Sequence, residues 1–504
     1  MSALYSINEI REIERTAMAC LPPGTLMQRA GRAAASAALK LLPSSAPGFN
    51  ILVLAGPGNN GGDALEAAAL LAKAGMNISV ALFSESDKQP EDARQALERA
   101  KSEPVRFLQS PTVAKITASH WALVIDGLFG IGLTRPVPDA LRGVIACINA
   151  LACPILALDI PSGLNADTGS AIGMQDGVIK ATHTVTFIGD KPGLHTCDGR
   201  DHAGDVQVDS LDIDARHFMP SRMRLNETVL FAHALQQRRH NTHKGSYGDI
   251  VLVGGARGMA GALMLAARAA AKCGAGRVFA AFIDEPPAYD ALQPELMCRH
   301  ATEIELNSMP LIVGPGLGMS TAAHDFLAMA IGSTGPLGLD ADALNLVARS
   351  PELQAGIAQR AAATLLTPHP LEAARLLDVS SAEVQSDRIS AAHALSAKFN
   401  AVTVLKGSGT VISNRNGDVA INPTGNPALA TAGTGDVLSG MAGGLLAQNW
   451  AAWEAALAAS WIHGYAADQL VERGVGPIGF TASELIPEAR RILNQLTKEW
   501  ANKT

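Results

Sequence analysis

Short apolar runs that end in Gly, Asp or Pro and alternate with alanine-rich stretches constrain this chain more than any other feature. In the first half they are NILVLAG (50–56), ISVALF (78–83), WALVIDG (121–127), PILALDIP (154–161) and HTVTFIG (183–189). Uninterrupted apolar runs belong to strands buried on both faces, and helical segments between them imply parallel strands with helices on either side. A doubly wound α/β sheet follows. The rhythm lapses after about residue 210, where DIDARHFMPSRMRLNET reads as a polar connection. It resumes with GDIVLVGG (248–255) and continues through GRVFAAF, PLIVGPGLG, GPLGLDADAL, ATLLTPHP and AVTVLKGSGTVIS. Because 504 residues exceed what one core organises, two α/β domains are expected, 1–220 and 225–504. Ahead of the first strand, SINEIREIERTAM reads as a helix: Ser6 and Glu9 have capping-box spacing, and Ile7, Ile10, Ile13 and Ala17 recur at helical intervals.

The 48 glycines and the 4% aromatic content suit tight strand-to-helix turns and alanine-packed helices better than a β-sandwich. A net charge of -7 argues against a nucleic-acid binder, which carries a basic stripe. No uncharged apolar run reaches membrane-spanning length, and the start lacks a basic segment followed by an apolar core. The six cysteines form no C-x-x-C pair and no zinc-finger spacing, so they read as reduced thiols. The expectation is a cytoplasmic enzyme of anionic or neutral small molecules, with no nucleic-acid or membrane partner. The alanine-rich apolar helices suggest self-association into a homo-oligomer.

Three loops of the first half fall at strand ends. AGPGNNGGDALEAA runs from a strand into a helix; it lacks the dinucleotide pattern G-x-G-x-x-G, but Gly56, Gly58, Gly61 and Gly62 would let phosphate approach the backbone. The alternative is a plain tight turn. VIDGLFGIGLTRP carries Asp126, and ALDIPSGLNADTG brings Asp159 and Ser162 to the same sheet edge if the strands are parallel. Oxygens of Asn60, Asp126 and Ser162 suit a hard monovalent or divalent cation; the competing reading is that these acids cap helices.

In the second half, TAGTGDVLSG (431–440) opens a helix and places Asp436 where unpaired N–H groups and the helix dipole attract anions. The Lys-Ser/Thr pair of a Walker phosphate loop is absent. Lys406, just past a strand, offers a phosphate-facing cation, and the glycines after it permit close approach. His369 sits between two prolines, where a structural role competes with a functional one. Asp340 and Asp342 either orient magnesium through water or cap the helix containing ALNL.

The motifs LMQRAG, GPGNNGGD, DGLFGIGLTRP, DIPSGLNADTG and TVTFIGDKPGL, spread over residues 5–210, resemble the N-terminal domain of the YjeF family, the NAD(P)H-hydrate epimerases. HKGSYGDIVLVGG, GPGLG, LDADALN, TPHPLE, LKGSGTVIS and NPTGNPALATAGTGDVLSGMAGG, over about 228–500, resemble that family's C-terminal domain. The resemblance implies a Rossmann-like three-layer domain followed by a ribokinase-like α/β domain acting as an ADP-dependent NAD(P)H-hydrate dehydratase. In the first domain it implies substrate contacts at Asn59, Asn60, Gly61, Gly62 and Asp63, at Gly130, Ile131, Gly132, Leu133, Thr134, Arg135 and Pro136, and at Asp159. It places a potassium ion at Asn60, Asp126 and Ser162. In the second it implies hydrate contacts at Ala260, Gly316, His369 and Asp436, and adenine-nucleotide contacts at Lys406, Gly407, Ser408, Gly409, Thr410 and Gly435.

The implied function is repair of hydrated cofactor: the R and S hydrates of NADH and NADPH (NADHX and NADPHX) are equilibrated, and the S form is dehydrated with ADP and Mg2+. Epimerisation needs a proton carrier near ring carbon six, and Asp159 is the expected acid or base. Dehydration would begin with Asp436 taking the proton of the carbon-six hydroxyl as that oxygen attacks phosphorus. The family's Asn-Asn-Gly-Gly-Asp loop continues with Gly where this chain has Ala64, which is benign if the position is already helical and strained if it requires positive φ. The alternative function is a ribokinase-like small-molecule kinase, of hydroxymethylpyrimidine or sugar type, with a non-catalytic nucleotide-binding first domain.

Overall fold

The computed structural model describes residues 2–43, 48–83, 89–108, 113–117, 119–306 and 308–502. Two compact units emerge, Ser2–Met223 and Arg224–Thr504.

The first unit contains strands β1 (Asn50–Ala55), β2 (Asn77–Leu82), β3 (Val105–Leu108), β4 (Leu123–Gly127), β5 (Ile155–Leu158), β6 (His183–Phe187) and β7 (Asp205–Asp209). They form a parallel sheet in the order β3-β2-β1-β4-β5-β6-β7. Period-two alternation divides each strand between two cores. Ile51, Val53 and Ala55 pack with the helices Thr25–Leu41, Asn59–Lys73 and Glu91–Lys101, whereas Leu52 and Leu54 pack with Asp139–Asn149 on the other face. The result is three layers. Strand order reverses between β1 and β4, so the loops leaving their carboxyl ends diverge and open a crevice, where ligands of such sheets bind. The helix Ile7–Met18 starts at the expected capping box: Ser6 N donates to Glu9 Oε2 at 2.7 Å, and Glu9 N to Ser6 Oγ at 3.3 Å.

The second unit contains β8 (Asp249–Gly254), β9 (Arg277–Phe282), β10 (Met297–His300), β11 (Leu311–Val313), β12 (Leu337–Leu339), β13 (Thr364–Leu366), β14 (Val402–Leu405), β15 (Val411–Ser413) and β16 (Val419–Ile421). Their order is β16-β15-β14-β13-β12-β11-β8-β9-β10. The pairs β14–β15 and β15–β16 are antiparallel and the others parallel. The switch point here lies between β8 and β11. AVTVLKGSGTVIS is therefore a hairpin, turning at residues 406–410.

Ile250 and Leu252 face a cluster of four helices, Ala260–Lys272, Thr434–Ala447, Ala452–Glu472 and Ala482–Ala501. Two of them touch backbone to backbone: a Cβ at Gly440 would lie 2.1 Å from the Ala266 carbonyl oxygen, and one at Gly444 would lie 2.6 Å from that of Ala270. Gly440→Ala must force these helices apart, and we expect a loss of about 1–3 kcal/mol in denaturant unfolding of this unit. No helix among the described residues is long and apolar enough to cross a membrane.

Candidate active sites

In the first unit, β1 runs into its glycine turn and the helix Asn59–Lys73 begins at Asn59, so the N–H groups of that helix's first turn face the crevice. The glycines divide the work differently from the sequence expectation. A Cβ at Gly56 would strike Leu128 O at 1.7 Å, one at Gly61 would strike Gly56 O at 2.1 Å, and one at Gly62 would strike Met27 and Ala93; only Gly58 has open space. Three of the four thus serve internal packing rather than phosphate approach. Ala64 is helical and fully buried, so alanine there carries no positive-φ strain.

Parallel pairing of β4 and β5 brings Asp126 and Ser162 together. Ser162 N donates to Asp126 Oδ2 at 2.8 Å and Ser162 Oγ to Asp126 Oδ1 at 2.7 Å, while Leu128 N reaches Oδ1 at 3.2 Å. No helix starts directly after Asp126 or Asp159, which sets aside helix capping for both. Burial lifts the Asp126 carboxyl to about 6 against these three hydrogen bonds. Asn60 is also buried, and both Oδ1 and Nδ2 of its amide lack a hydrogen-bond partner. An orphaned buried amide costs about 1–3 kcal/mol, which a ligand on its oxygen would relieve. Among the described residues no group of three or more His, Cys, Asp or Glu is placed to hold a metal, so a cation here would draw on amide, hydroxyl and backbone oxygens.

These loops wall a cavity of about 550 Å³ whose lining includes Asn59, Asn60, Asp63, the loop Gly130–Arg135 and Asp159. Pro136 is not among its lining residues. Asp159 adopts φ 65° at the end of β5. Its Oδ1 accepts from Lys191 Nζ at 2.5 Å, and from Thr186 Oγ1 and Phe187 N at 3.3 Å each. Lys191 is wholly buried and also reaches Thr186 Oγ1 at 2.7 Å and the carbonyls of Phe187 and Gly189. Asp159 is therefore the anion of a buried ion pair rather than a solitary acid or base. Burial, with Asp159, Glu14 and Glu66 nearby, pushes the Asp63 carboxyl well above the ordinary aspartate range.

In the second unit, four strand ends converge. The helix Thr434–Ala447 follows Gly433, whose φ of 88° turns the chain into it. Asp436 lies in its first turn; burial, reinforced by Asp340, raises its carboxyl to about 6 despite the opposing Lys406. Lys406 Nζ donates to Asp340 Oδ1 at 2.7 Å, and a Cβ at Gly435 would lie 3.4 Å from that nitrogen. Burial works against the Lys406 ammonium, but Asp340 and Glu372 outweigh it and hold it above the usual lysine range. Asp340 stands at the N-cap of Ala341–Arg349 yet makes no capping bond; its other oxygen accepts from Ser439 Oγ. Asp342 accepts from Gly318 N at 2.8 Å.

His369 caps the helix Pro370–Leu377: its Nδ1 accepts from Leu371 N at 3.2 Å, and its own N donates to Glu372 Oε2 at 2.8 Å. Burial lowers the imidazole and lifts the Glu372 carboxyl to about 7. Lys406 N donates to Pro368 O, which holds the two loops together. Glycine is needed at 316 on two counts: its φ is 59°, and a Cβ there would fall 2.5 Å from Met259 O, just ahead of Ala260 at the start of its helix. Gly407 has φ 140°, and Thr410 Oγ1 donates to Gly407 O at 3.2 Å, closing the turn that carries Ser408 and Gly409.

Comparison with known proteins decides the family. Residues 23–193 match the family described as YjeF-related protein N-terminus, and residues 250–489 match NAD(P)H-hydrate dehydratase. The Bifunctional NAD(P)H-hydrate repair enzyme Nnr of Coxiella burnetii (strain RSA 493 / Nine Mile phase I) is 38% identical over 505 residues, covering 98% of this chain and 100% of that protein. The chain belongs to the bifunctional NAD(P)H-hydrate repair enzymes. The Escherichia coli (strain K12) repair enzyme of the same name is 37% identical, covering 93% of this chain and 89% of that protein. An ADP/ATP-dependent NAD(P)H-hydrate dehydratase from Bacillus subtilis, co-crystallized with ATP/Mg2+, is 29% identical with a TM-score of 0.48, covering 54% of this chain and 98% of that one.

Several residues that shape the two sites of this repair enzyme escaped the sequence reading. Lys191 stands inside TVTFIGDKPGL, yet nothing in a lysine's type announces burial. Glu14 lies between the apolar positions that mark the first helix, and nothing in that spacing shows that it lines the cavity. Arg388, 1% exposed, donates to the carbonyls of Leu405 and Lys406, and its guanidinium fills the space beside Gly407. His463, lowered to about 4 by burial, lies 2.9 Å from Thr434 O through Nε2 and braces the Asp436 turn.

Proposed function

We propose that the second unit dehydrates the S hydrate of NADH or NADPH with ADP, and that the first unit interconverts the R and S hydrates. The observation that carries this reading is the placement of Asp436 in the first turn of a helix beside Lys406, where burial raises its carboxyl to about 6. Amide N–H groups of the Gly433–Gly435 turn and the Lys406 ammonium stabilise charge developing on a transferring phosphoryl group. Asp436 takes the proton of the carbon-six hydroxyl as its oxygen attacks the β-phosphorus of ADP, releasing AMP. The nitrogen lone pair then expels phosphate, and loss of a proton from carbon five restores the dihydropyridine. Gly316, Ala260 and His369 are proposed to hold the hydrate, and Lys406 to Thr410 with Gly435 the nucleotide. Mg2+ arriving with the nucleotide phosphates would supply positive charge to offset theirs, and Asp340 and Asp342 are the carboxylates proposed to orient it through water.

Two outcomes test the reading. With S hydrate and ADP, dihydronicotinamide, AMP and orthophosphate should form in equal amounts; a stable phosphorylated hydrate would instead favour the kinase reading. Because the base must be ionised, kcat/KM for dehydration should fall about tenfold per pH unit below about 6 and level off above it.

The first unit's cavity is proposed to take the hydrate, with the first-turn N–H groups at Asn59 to Gly61 receiving its pyrophosphate. Asn60, Asp126 and Ser162 fit potassium, because the buried Asn60 amide oxygen is orphaned and Asp126 and Ser162 add buried oxygens at neighbouring strand ends. Potassium would supply a fixed positive charge anchoring the loops at the cavity. Asp126 ionises at about 6 when folded, above its ordinary value, so its contribution to stability is full below about pH 4 and lost as pH rises through 6. A cation offsets that loss. Potassium should therefore raise the melting temperature of this unit more at pH 8 than at pH 5, with lithium as the comparison; equal shifts at both pH values would remove Asp126 from the site.

A further inference from the structure

We infer that Glu14 and Asp63 are the proton-carrying carboxyl pair of the epimerisation, and that Asp159, tied to Lys191, is a fixed anion beside which the cationic intermediate forms. The inference rests on the proposed epimerase reading and names the residues that act in it.

Asp159 is the less suitable proton carrier, since its Oδ1 already accepts from Lys191, Thr186 and Phe187. Glu14 and Asp63 differ. They enter the cavity from separate walls, Glu14 from the helix Ile7–Met18 and Asp63 from Asn59–Lys73. Both are half-buried, and neither accepts a hydrogen bond nor forms an ion pair among the described residues. Both are lifted above their ordinary carboxyl range, chiefly by burial and then by Asp159. The other charged groups nearby are Arg11 on Glu14's own helix, Glu66 (paired with Arg99), Asp92, Arg135 and Lys191. Glu14 opposes ionisation of Asp63, so two unpaired carboxyls in this cavity favour one protonated and one ionised group.

That is the protonation state the reaction needs. The protonated carboxyl gives its proton to the carbon-six hydroxyl; the C–O bond breaks, water leaves with the bonding pair, and the ring nitrogen lone pair forms the C=N iminium. Water adds to the opposite face and yields a proton to the second carboxylate. One proton is given and one taken, and transfer between the two carboxyls resets the site. Asp159 offsets the iminium charge throughout.

The test follows R-to-S conversion of resolved NADPH hydrate by chromatography on the full chain, from pH 5 to 9. Wild type should give a bell-shaped kcat profile, with one carboxyl required as acid and the other as base. Glu14→Gln and Asp63→Asn should each lower kcat by about 10²-fold with KM within twofold, and each should remove one limb of the bell. Glu14→Asp, which keeps the carboxyl, should retain both limbs. Unchanged kcat and pH profile in Glu14→Gln would overturn the pair, as would a raised KM at constant kcat, which would mark a binding residue. Loss of activity with a lowered melting temperature in Glu14→Gln and Glu14→Asp alike would reduce Glu14 to a structural role and overturn it too. If wild type fails to interconvert the hydrates, the epimerase reading itself falls, an outcome distinct from any variant result.

Discussion

Asp436→Asn will cut ADP-driven dehydration of the S hydrate by about 10²–10⁴-fold and leave epimerisation on the same chain untouched. The amide keeps the shape and the first-turn position of the aspartate but cannot accept the hydroxyl proton. The helix N-terminus and Lys406 remain, so nucleotide binding should persist and the loss should appear in kcat rather than in KM for ADP. Removing the carboxylate also removes one of the groups that raise Lys406, and Lys406 stays paired with Asp340 at 2.7 Å. A matched fall in ADP affinity, measured by calorimetry, would instead place Asp436 in nucleotide binding.

The second large effect lies in the other unit. Lys191→Met strands the buried Asp159 carboxylate without its ammonium partner, and breaking such a pair costs about 3–5 kcal/mol. Epimerisation should fall by at least about 10²-fold. The double variant Asp159→Asn/Lys191→Met removes both charges, so it should recover most of the lost melting temperature and none of the activity. This contrast separates a structural pair from a functional one: if the double variant regains epimerisation along with stability, the pair serves only the fold.

The architecture was legible where burial is two-sided. β1, β4 and β5 are apolar on both faces and stand out as uninterrupted runs bounded by Gly, Asp or Pro. β3, β7 and β10 escaped, because edge or partly exposed strands such as VRFL, DVQVD and MCRH need no such run. The crevice residues were legible as loop chemistry, since a strand end followed by glycine and a polar residue has few purely structural uses. Their partners were not. Lys191 and Arg388 are buried cations whose roles depend on carbonyls and carboxylates brought near by folding, and Glu14 reaches the cavity only through the placement of its helix. The glycines of the first loop were over-read: Gly56, Gly61 and Gly62 are needed because backbone or side chains crowd them, a demand that appears only in three dimensions. The resemblance to the repair enzymes supplied what spacing alone could not, namely which loops act together.

The most direct measurement follows dihydronicotinamide absorbance when the full chain meets an equal mixture of R and S NADPH hydrates with ADP, Mg2+ and K+. Wild type should recover the absorbance completely, Asp436→Asn should show no recovery over the same interval, and Asp159→Asn should recover quickly and stop near half. Wild-type recovery that itself stops near half would contradict the epimerase assignment, and no recovery at all would contradict the repair function.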